Sequence, residues 1–293
     1  MNIFSGLEEI VKSNHNLAKE SWYGLGGPAD YFIQPKSVEQ LQEVVRRCND
    51  NGVFMKVLGY GSNLLICDEG VRGAVIKLDS EAFREVTFSG EEVVAGAGFQ
   101  MNKLILDCVN KGLGGLESLT GIPGSVGGAV RMNAGGRAGD ISSAVESVTL
   151  MNFKGEVFEK VRPELSFDYR KCNITATFIL SAKMLLNESD PEQILRVVKE
   201  IWIYKKNSQP LNTKNAGCIF KNPSETAAGA LIDRAGLKGL RVGGAVVSDK
   251  HANFIVAEKD CKSSDVLQLI EKVQQRVRDN FGVDLELELE VWD

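Results

Sequence analysis

The residues with the most evident chemical use in this chain are glycines. Gly59-Tyr60-Gly61-Ser62-Asn63 follows directly on an apolar run, and a second glycine-dense stretch covers residues 112–139. Glycine tolerates positive φ and lets the backbone come close to a ligand. Loops of this kind present backbone N–H groups to anions. Two such loops, 59–63 and 121–136, suit a long, doubly charged pyrophosphate like that of a dinucleotide. Leu116, Leu119, Ile122, Val126, Met132 and Asn133 are interleaved in the second stretch, which disfavours a disordered linker. So much glycine is nevertheless expected to stay outside regular core structure.

Other nucleotide signatures are missing. No G-x-x-x-x-G-K-[ST] occurs, so a P-loop is not supported. Gly59-Tyr60-Gly61 lacks the third glycine of a dinucleotide-binding turn, and a strand-like run, Leu64-Leu65-Ile66, follows it where a helix would be required. The six cysteines, Cys48, Cys67, Cys108, Cys172, Cys218 and Cys261, form no C-x-x-C pair. Scattered thiols fit a reducing compartment. With only His15 and His251 present, a His-rich metal site or a His-based triad is not expected, and no metal is assigned.

The elements that must position the loops read as α+β. Residues 30–36 form a short strand stopped by Pro35, and Ser37-Val38-Glu39-Gln40 is a capping box. Val38, Leu41, Val44 and Val45 share one helical face. Residues 53–58 lead as a strand into the first loop, and short strands follow at 64–66 and 74–76. A helix is expected at about 99–111, strands at 147–151, 156–160 and 177–186, and a strong helix from Pro191. Further helices are expected near 227–235 and over 263–281. The tail, Leu285-Glu286-Leu287-Glu288-Leu289-Glu290, alternates with the period of a strand, leucines to one side and glutamates to the other.

Composition limits the partners. The 293 residues are 43% hydrophobic and 25% charged, ordinary for a globular enzyme with a real core. A net charge of −5 draws the chain to neither nucleic acid nor anionic membranes. The start carries Glu8, Glu9 and Lys12 where a signal peptide would be basic and then apolar, and no run is long enough to span a bilayer. A soluble, cytoplasmic monomer is expected.

Several motifs in order resemble the UDP-N-acetylenolpyruvoylglucosamine reductase family. They are Gly26-Gly27-Pro28-Ala29-Asp30-Tyr31, Val57-Leu58-Gly59-Tyr60-Gly61-Ser62-Asn63-Leu64-Leu65, and Gly121-Ile122-Pro123-Gly124-Ser125-Val126-Gly127-Gly128-Ala129-Val130-Arg131-Met132-Asn133-Ala134-Gly135. Asp168-Tyr169-Arg170, Asn215-Ala216-Gly217-Cys218-Ile219-Phe220-Lys221-Asn222-Pro223 and the run from Val247 to Val256 continue the set. One glycine motif alone would be weak; the ordered set covers almost the whole chain. The short path from Tyr169-Arg170 to Lys205 resembles the compact second subtype.

The resemblance implies a two-part FAD-binding domain of the vanillyl-alcohol-oxidase-like type over 1–189, with subdomains of about 1–80 and 81–189. A smaller α+β substrate-binding domain would occupy 190–293, its terminal strand returning to the active site. It implies non-covalent FAD, NADPH as hydride donor, and reduction of UDP-N-acetylglucosamine enolpyruvate to UDP-N-acetylmuramate for peptidoglycan. Cofactor contacts would come from Gly59, Tyr60, Gly61, Ser62, Asn63, Thr120, Gly121, Ile122, Pro123, Ser125, Gly127, Gly128, Asn133, Ala134 and Gly135. Arg170 would meet the substrate carboxylate, Cys218 would donate the proton, and Glu288 would be the catalytic glutamate. Tyr169, Lys206, Gln209 and Asn222 would contact substrate, while His251 and Asn253 are assigned structural hydrogen bonds.

The chain departs from the family pattern in places. Cys218 stands where a serine is commoner, a permissive exchange because a thiol is the stronger acid. Register alone selects Glu288 over Glu286 and Glu290. Arg137 stands where an aromatic turn is usual, facing an anion or only solvent. Two rival readings keep the fold: a flavin oxidase, disfavoured because no His lies near the first loop to tether flavin, and a nucleotide-binding module without catalysis.

Overall fold

The computed structural model describes residues 3–136, 138–223 and 226–293. Arg137 therefore lies outside the described residues. The chain forms two compact units, each discontinuous in sequence. The first contains residues 1–13, 30–60 and 73–203; the second contains 14–29, 61–72 and 204–293. The expected α+β class holds, with helices and mostly antiparallel sheets in both units.

Two sheets organise the first unit. One is four-stranded, in the order Val11–Asn16, Pro28–Ile33, Val71–Lys77, Met55–Leu58. Helix α1 (Val38–Asp50) buries Leu41, Val44, Val45 and Cys48 in a core shared with Ile33, Ala74 and Ile76. Its start differs slightly from a standard capping box. Ser37 Oγ accepts from Gln40 N–H at 3.2 Å, but Gln40 Oε1 returns to Lys36 N–H at 2.8 Å, one residue early.

The other sheet is five-stranded and antiparallel, ordered Val157–Val161, Val145–Met151, Phe178–Leu185, Glu92–Gly96, Val86–Ser89. Helix α2 (Met101–Asn110) and helix α3 (Val126–Arg131) pack on its core side, burying Leu104, Ile105, Val126 and Val130 against Val93, Val148 and Ala182. Helix α3 corrects one sequence expectation, because it is regular structure within the glycine-dense stretch. Ser125 caps it, its Oγ accepting from Gly128 N–H at 3.3 Å. Gly127 lets it settle: a Cβ there would stand 2.8 Å from the Ala97 methyl carbon.

Helix α4 (Pro191–Ser208) starts at the expected proline and buries Ile194 and Val198. In the second unit, helix α5 (Ala228–Arg234) and helix α6 (Ser263–Phe281) bury their apolar faces together with a small sheet, Arg241–Val242, Ala245–Val247 and Ile255–Ala257. Val266, Leu269, Ile270, Val273 and Val277 form the buried stripe of α6. Gly282 closes that helix at φ +67°, its N–H on the Arg278 carbonyl at 2.8 Å. Tyr23 is fully buried in this core, its hydroxyl donating to the Ile255 carbonyl at 3.1 Å.

The tail is less regular than its alternation suggests. Ladder pairing begins only at Glu290–Trp292, parallel to Leu64–Ile66. The preceding residues are held by a bridge between Phe220 and Leu287. Among the described residues, no helix is long and apolar enough to cross a membrane, and no group of three His, Cys, Asp or Glu is placed to hold a metal ion.

Candidate active site

The first unit contains a cleft whose apolar floor includes Val57, Leu58, Leu78, Ala97 and Ile179. Gly59 and Tyr60 from the first loop and Ser125, Gly127 and Gly128 from the second form part of its wall. The two loops come close there. A Cβ on Gly59 would lie 3.0 Å from Ser125 Oγ, so any side chain at 59 would start to fill the gap. The first loop then carries the chain onward from the first unit to the second. Gly61 sits at φ +64°, and a Cβ there would meet the Glu20 carbonyl oxygen at 2.2 Å. Only glycine serves at that position. Ser62 is half-buried, and Asn63 donates from Nδ2 to the Glu288 carbonyl at 2.9 Å.

In the second loop, the first amides of α3 bond within the protein. The N–H of Val126 bonds the Phe99 carbonyl at 2.9 Å, and that of Gly127 bonds the Ala97 carbonyl at 2.9 Å. Gly128 N–H is on Ser125 Oγ. The first amides of α3 are thus satisfied internally, and Gly127 and Gly128 offer the cleft a bare backbone surface. Thr120 and Ser125 are buried, and Gly121 takes φ +71°. Ile122 and Ala134 pack on the core, and Pro123 is half-buried. An apolar floor between closely approaching glycine loops fits the flat ring system and extended shape of a flavin dinucleotide.

Arg170 stands beside the second loop. Phe167–Asp168 and Lys171–Cys172 form a hairpin, with Tyr169 and Arg170 as its two-residue turn. Arg170 sits at φ +56°, a conformation that side-chain-bearing residues rarely adopt. Backbone strain of this kind in a non-glycine residue points to function. Its Nη2 donates to the Gly135 carbonyl at 2.8 Å, and its guanidinium lies 4.9 Å from the Tyr169 ring centroid. Asn133, buried and itself at φ +42°, donates from Nδ2 to the Asp168 carbonyl at 3.0 Å. A Cβ on Gly135 would collide with Asp140 at 2.4 Å.

Cys218 and Glu288 belong to the second unit, and one peptide group links their segments. Glu288 N–H donates to the carbonyl of Ile219, the residue after Cys218, at 2.9 Å. Lys221 N–H donates to the Glu286 carbonyl at 2.8 Å. Both Cys218 and Glu288 are half-buried. Glu286 is 73% exposed and pairs with Lys221, and Glu290 is exposed as well. Of the three tail glutamates, Glu288 is therefore the one withdrawn from solvent.

Asn253 fastens the Cys218 segment from its other side. Its side chain is buried, its Oδ1 accepts from Phe220 N–H at 3.0 Å, and its Nδ2 donates to the Phe220 carbonyl at 2.8 Å. Its own carbonyl accepts from Ile219 N–H at 2.9 Å. The structural hydrogen bonding expected of Asn253 thus takes the form of a clamp on the residues after Cys218. Asn222 Oδ1 accepts from the N–H of Ala228, the first residue of α5, at 3.0 Å. Lys206 is exposed at the end of α4, where Lys250 Nζ donates to its carbonyl at 2.6 Å. Gln209 is half-buried just beyond that end. Arg131 is among the cleft residues with no role assigned from the sequence; its signal there is a lone charge inside an apolar glycine run.

Known proteins match both parts of the chain. Residues 29–160 match the family model described as an FAD binding domain, and residues 209–292 match the C-terminal domain of UDP-N-acetylenolpyruvoylglucosamine reductase. The reductase of that name from Lachnoclostridium phytofermentans is 40% identical over 286 residues, covering 96% of this chain and 92% of its own. That from Carboxydothermus hydrogenoformans is 41% identical over 283 residues, covering 96% and 93%. The crystal structure of the Thermus caldophilus reductase superposes with a TM-score of 0.82 at 38% identity, covering 97% of this chain and 98% of that one. A glucose dehydrogenase, 15% identical with a TM-score of 0.52, shares the fold over 65% of this chain and 45% of its own. With both parts matched and relatives aligned nearly end to end, the chain belongs to the UDP-N-acetylenolpyruvoylglucosamine reductase family of FAD-dependent oxidoreductases.

Proposed function

We propose that this protein reduces the carbon–carbon double bond of UDP-N-acetylglucosamine enolpyruvate to give UDP-N-acetylmuramate, a peptidoglycan precursor. Its membership of the reductase family over nearly its whole length carries this reading. The strained Arg170 turn, bonded to the second glycine loop, supports it independently. Residues 1–189 bind FAD without a covalent link, and residues 190–293 bind substrate, with the tail contributing Glu288. FAD, when bound, supplies the hydride relay from NADPH to the substrate.

The remaining work falls to the side chains. Arg170 grips the substrate carboxylate, for which a guanidinium is shaped. Hydride arrives at the terminal carbon, and charge builds on the enolate beside the carboxylate. Arg170 offsets that charge by Coulomb attraction, and Glu288 serves as the catalytic glutamate. Cys218 gives the Sγ proton to the neighbouring carbon and regains it from solvent. A thiol is a stronger acid than a hydroxyl, which suits it to delivering a proton to carbon. Tyr169, Lys206, Gln209 and Asn222 contact the nucleotide sugar. The protein works as a cytoplasmic monomer.

An anaerobic absorbance experiment tests the reading. The purified protein should be yellow, NADPH should bleach it, and the enolpyruvyl nucleotide should restore the oxidised spectrum rapidly, with oxygen doing so slowly. A colourless protein, or one reoxidised faster by oxygen than by the nucleotide, rejects it.

A further inference from the structure

Helix α3 ends in Arg131, a residue that none of the roles above uses. Its side chain lines the cleft beside Gly127 and Gly128. Burial pushes its pKa below the ordinary guanidinium value. Among the described residues no carboxylate pairs with it; its donors go to backbone carbonyls instead. Nη1 reaches Ile174 at 2.5 Å, and Nη2 reaches Ala176 at 2.6 Å and Thr177 at 3.4 Å. In return, the Arg131 carbonyl accepts from Cys172 Sγ at 3.3 Å. A cation partly withdrawn from water without an acid beside it needs oxygens held in fixed places.

Those oxygens lie directly downstream of the hairpin that carries Arg170. Cys172 is the hairpin's last paired residue, and the carbonyls belong to the five residues that follow it. The hairpin is tied to the second glycine loop twice more, through Asn133 to Asp168 and through Arg170 to Gly135. Arg131 is the tie that also faces the cleft. Its planar fork serves several carbonyls at once, which a lysine ammonium on a flexible stem does not reproduce.

We infer that Arg131 is a positioning residue that fastens the Arg170 hairpin to the wall of the cofactor cleft, so that FAD retention and capture of the substrate carboxylate depend on one latch. The carboxylate half of this inference rests on the proposed function; the FAD half does not.

The test uses the holoenzyme and its Arg131→Lys and Arg131→Gln variants. Three quantities are read: FAD release on dilution by flavin fluorescence, KM against kcat for the enolpyruvyl nucleotide, and Tm. Both variants should release FAD about tenfold faster and raise KM by about tenfold, with kcat changing far less. Lysine should not rescue. Rescue of both readouts by Arg131→Lys would mean that charge alone matters and would overturn the latch. So would a lower Tm with FAD release and KM unmoved. Should the variants not fold, hydrogen exchange on the wild-type protein decides: residues 167–177 should exchange faster once FAD is stripped, and unchanged exchange there overturns the inference. If the wild-type protein ignores the nucleotide, the proposed substrate is wrong, and FAD release still judges the latch.

Discussion

Arg170 and Cys218 are held by opposite means. Arg170 owes its place to local geometry, a two-residue turn with one strained torsion, stitched to a loop 35 residues earlier. Cys218 owes its place to partners distant in sequence. Asn253 clamps the residues after it, 33 positions on from Phe220, and the tail reaches back so that Glu288 bonds Ile219. A turn of the first kind is complete within the six residues from Phe167 to Cys172. An arrangement of the second kind exists only once the chain has closed on itself.

The comparison implies that the two groups fail differently when altered, and the largest effect belongs to Cys218. Cys218→Ala removes the thiol proposed as proton donor while leaving the clamp on Phe220 untouched. Substrate reduction should slow by about 10²- to 10⁴-fold, the range for a lost general acid. Flavin reduction by NADPH should stay as fast as in the wild type. Stopped-flow traces of the two half-reactions separate these rates, and equal slowing of both would show that Cys218 holds structure instead. Cys218→Ser should keep substantial activity.

Arg170 offers the converse. Arg170→Gly removes the guanidinium but also relieves the positive φ, a strain of roughly 1–3 kcal/mol. The variant should therefore melt no lower than the wild type while its kcat/KM falls by about 10- to 100-fold, the value of one to two charged hydrogen bonds. A variant that loses stability along with activity would mean that the bond to Gly135 matters more than the torsion. Either result sharpens the contrast between a strained local mount and a distributed one.

Glu288 and Glu286 test the tail. They are two residues apart and chemically identical, but one is half-buried beside Ile219 and the other is exposed on Lys221. Glu288→Gln should slow substrate reduction by at least about tenfold. Glu286→Gln should change the rate little, since an exposed ion pair contributes about 0–1 kcal/mol. The reverse order would place the working register at 286.

Much of this was legible in the sequence, and the failures have physical causes. The α+β class, the glycine loops and helices α1, α4 and α6 follow from periodicity and caps that are local properties. Helix α3 was not legible, because Gly127 and Gly128 lower helix propensity and only the contact with Ala97 explains them. The internal use of the α3 amides was equally hidden, since Ala97 and Phe99 are remote from them in sequence. Nothing near residues 14–29 or 61–72 signals that they pack with the C-terminal residues, because such contacts carry no local pattern. Composition also overstated the tail as a regular strand: Leu285 and Leu289 are buried, but their neighbours bond to Ile219 and Lys221 in place of a ladder.

The smallest expected effect concerns the base of the Asn253 clamp. His251 packs edge-on to Phe254, with ring centroids 4.8 Å apart, and its Nδ1 accepts from Asn253 N–H at 3.3 Å. An acceptor Nδ1 requires the neutral ring with its proton on Nε2. Burial, and then the charge of Lys238, push its pKa below the usual 6.5. The folded state therefore binds fewer protons than the unfolded chain wherever free histidine begins to titrate. The resulting stability is fully present above about pH 6.5 and declines as pH falls through the unfolded value toward the lowered folded one. Melting curves taken between about pH 8 and 5.5 should show Tm falling toward acid in the wild type. His251→Phe, which loses the acceptor, should start lower but fall less steeply. An identical slope in both proteins would mean that the ring takes up its proton without loss, and that the support of the Cys218 segment does not depend on His251 staying neutral.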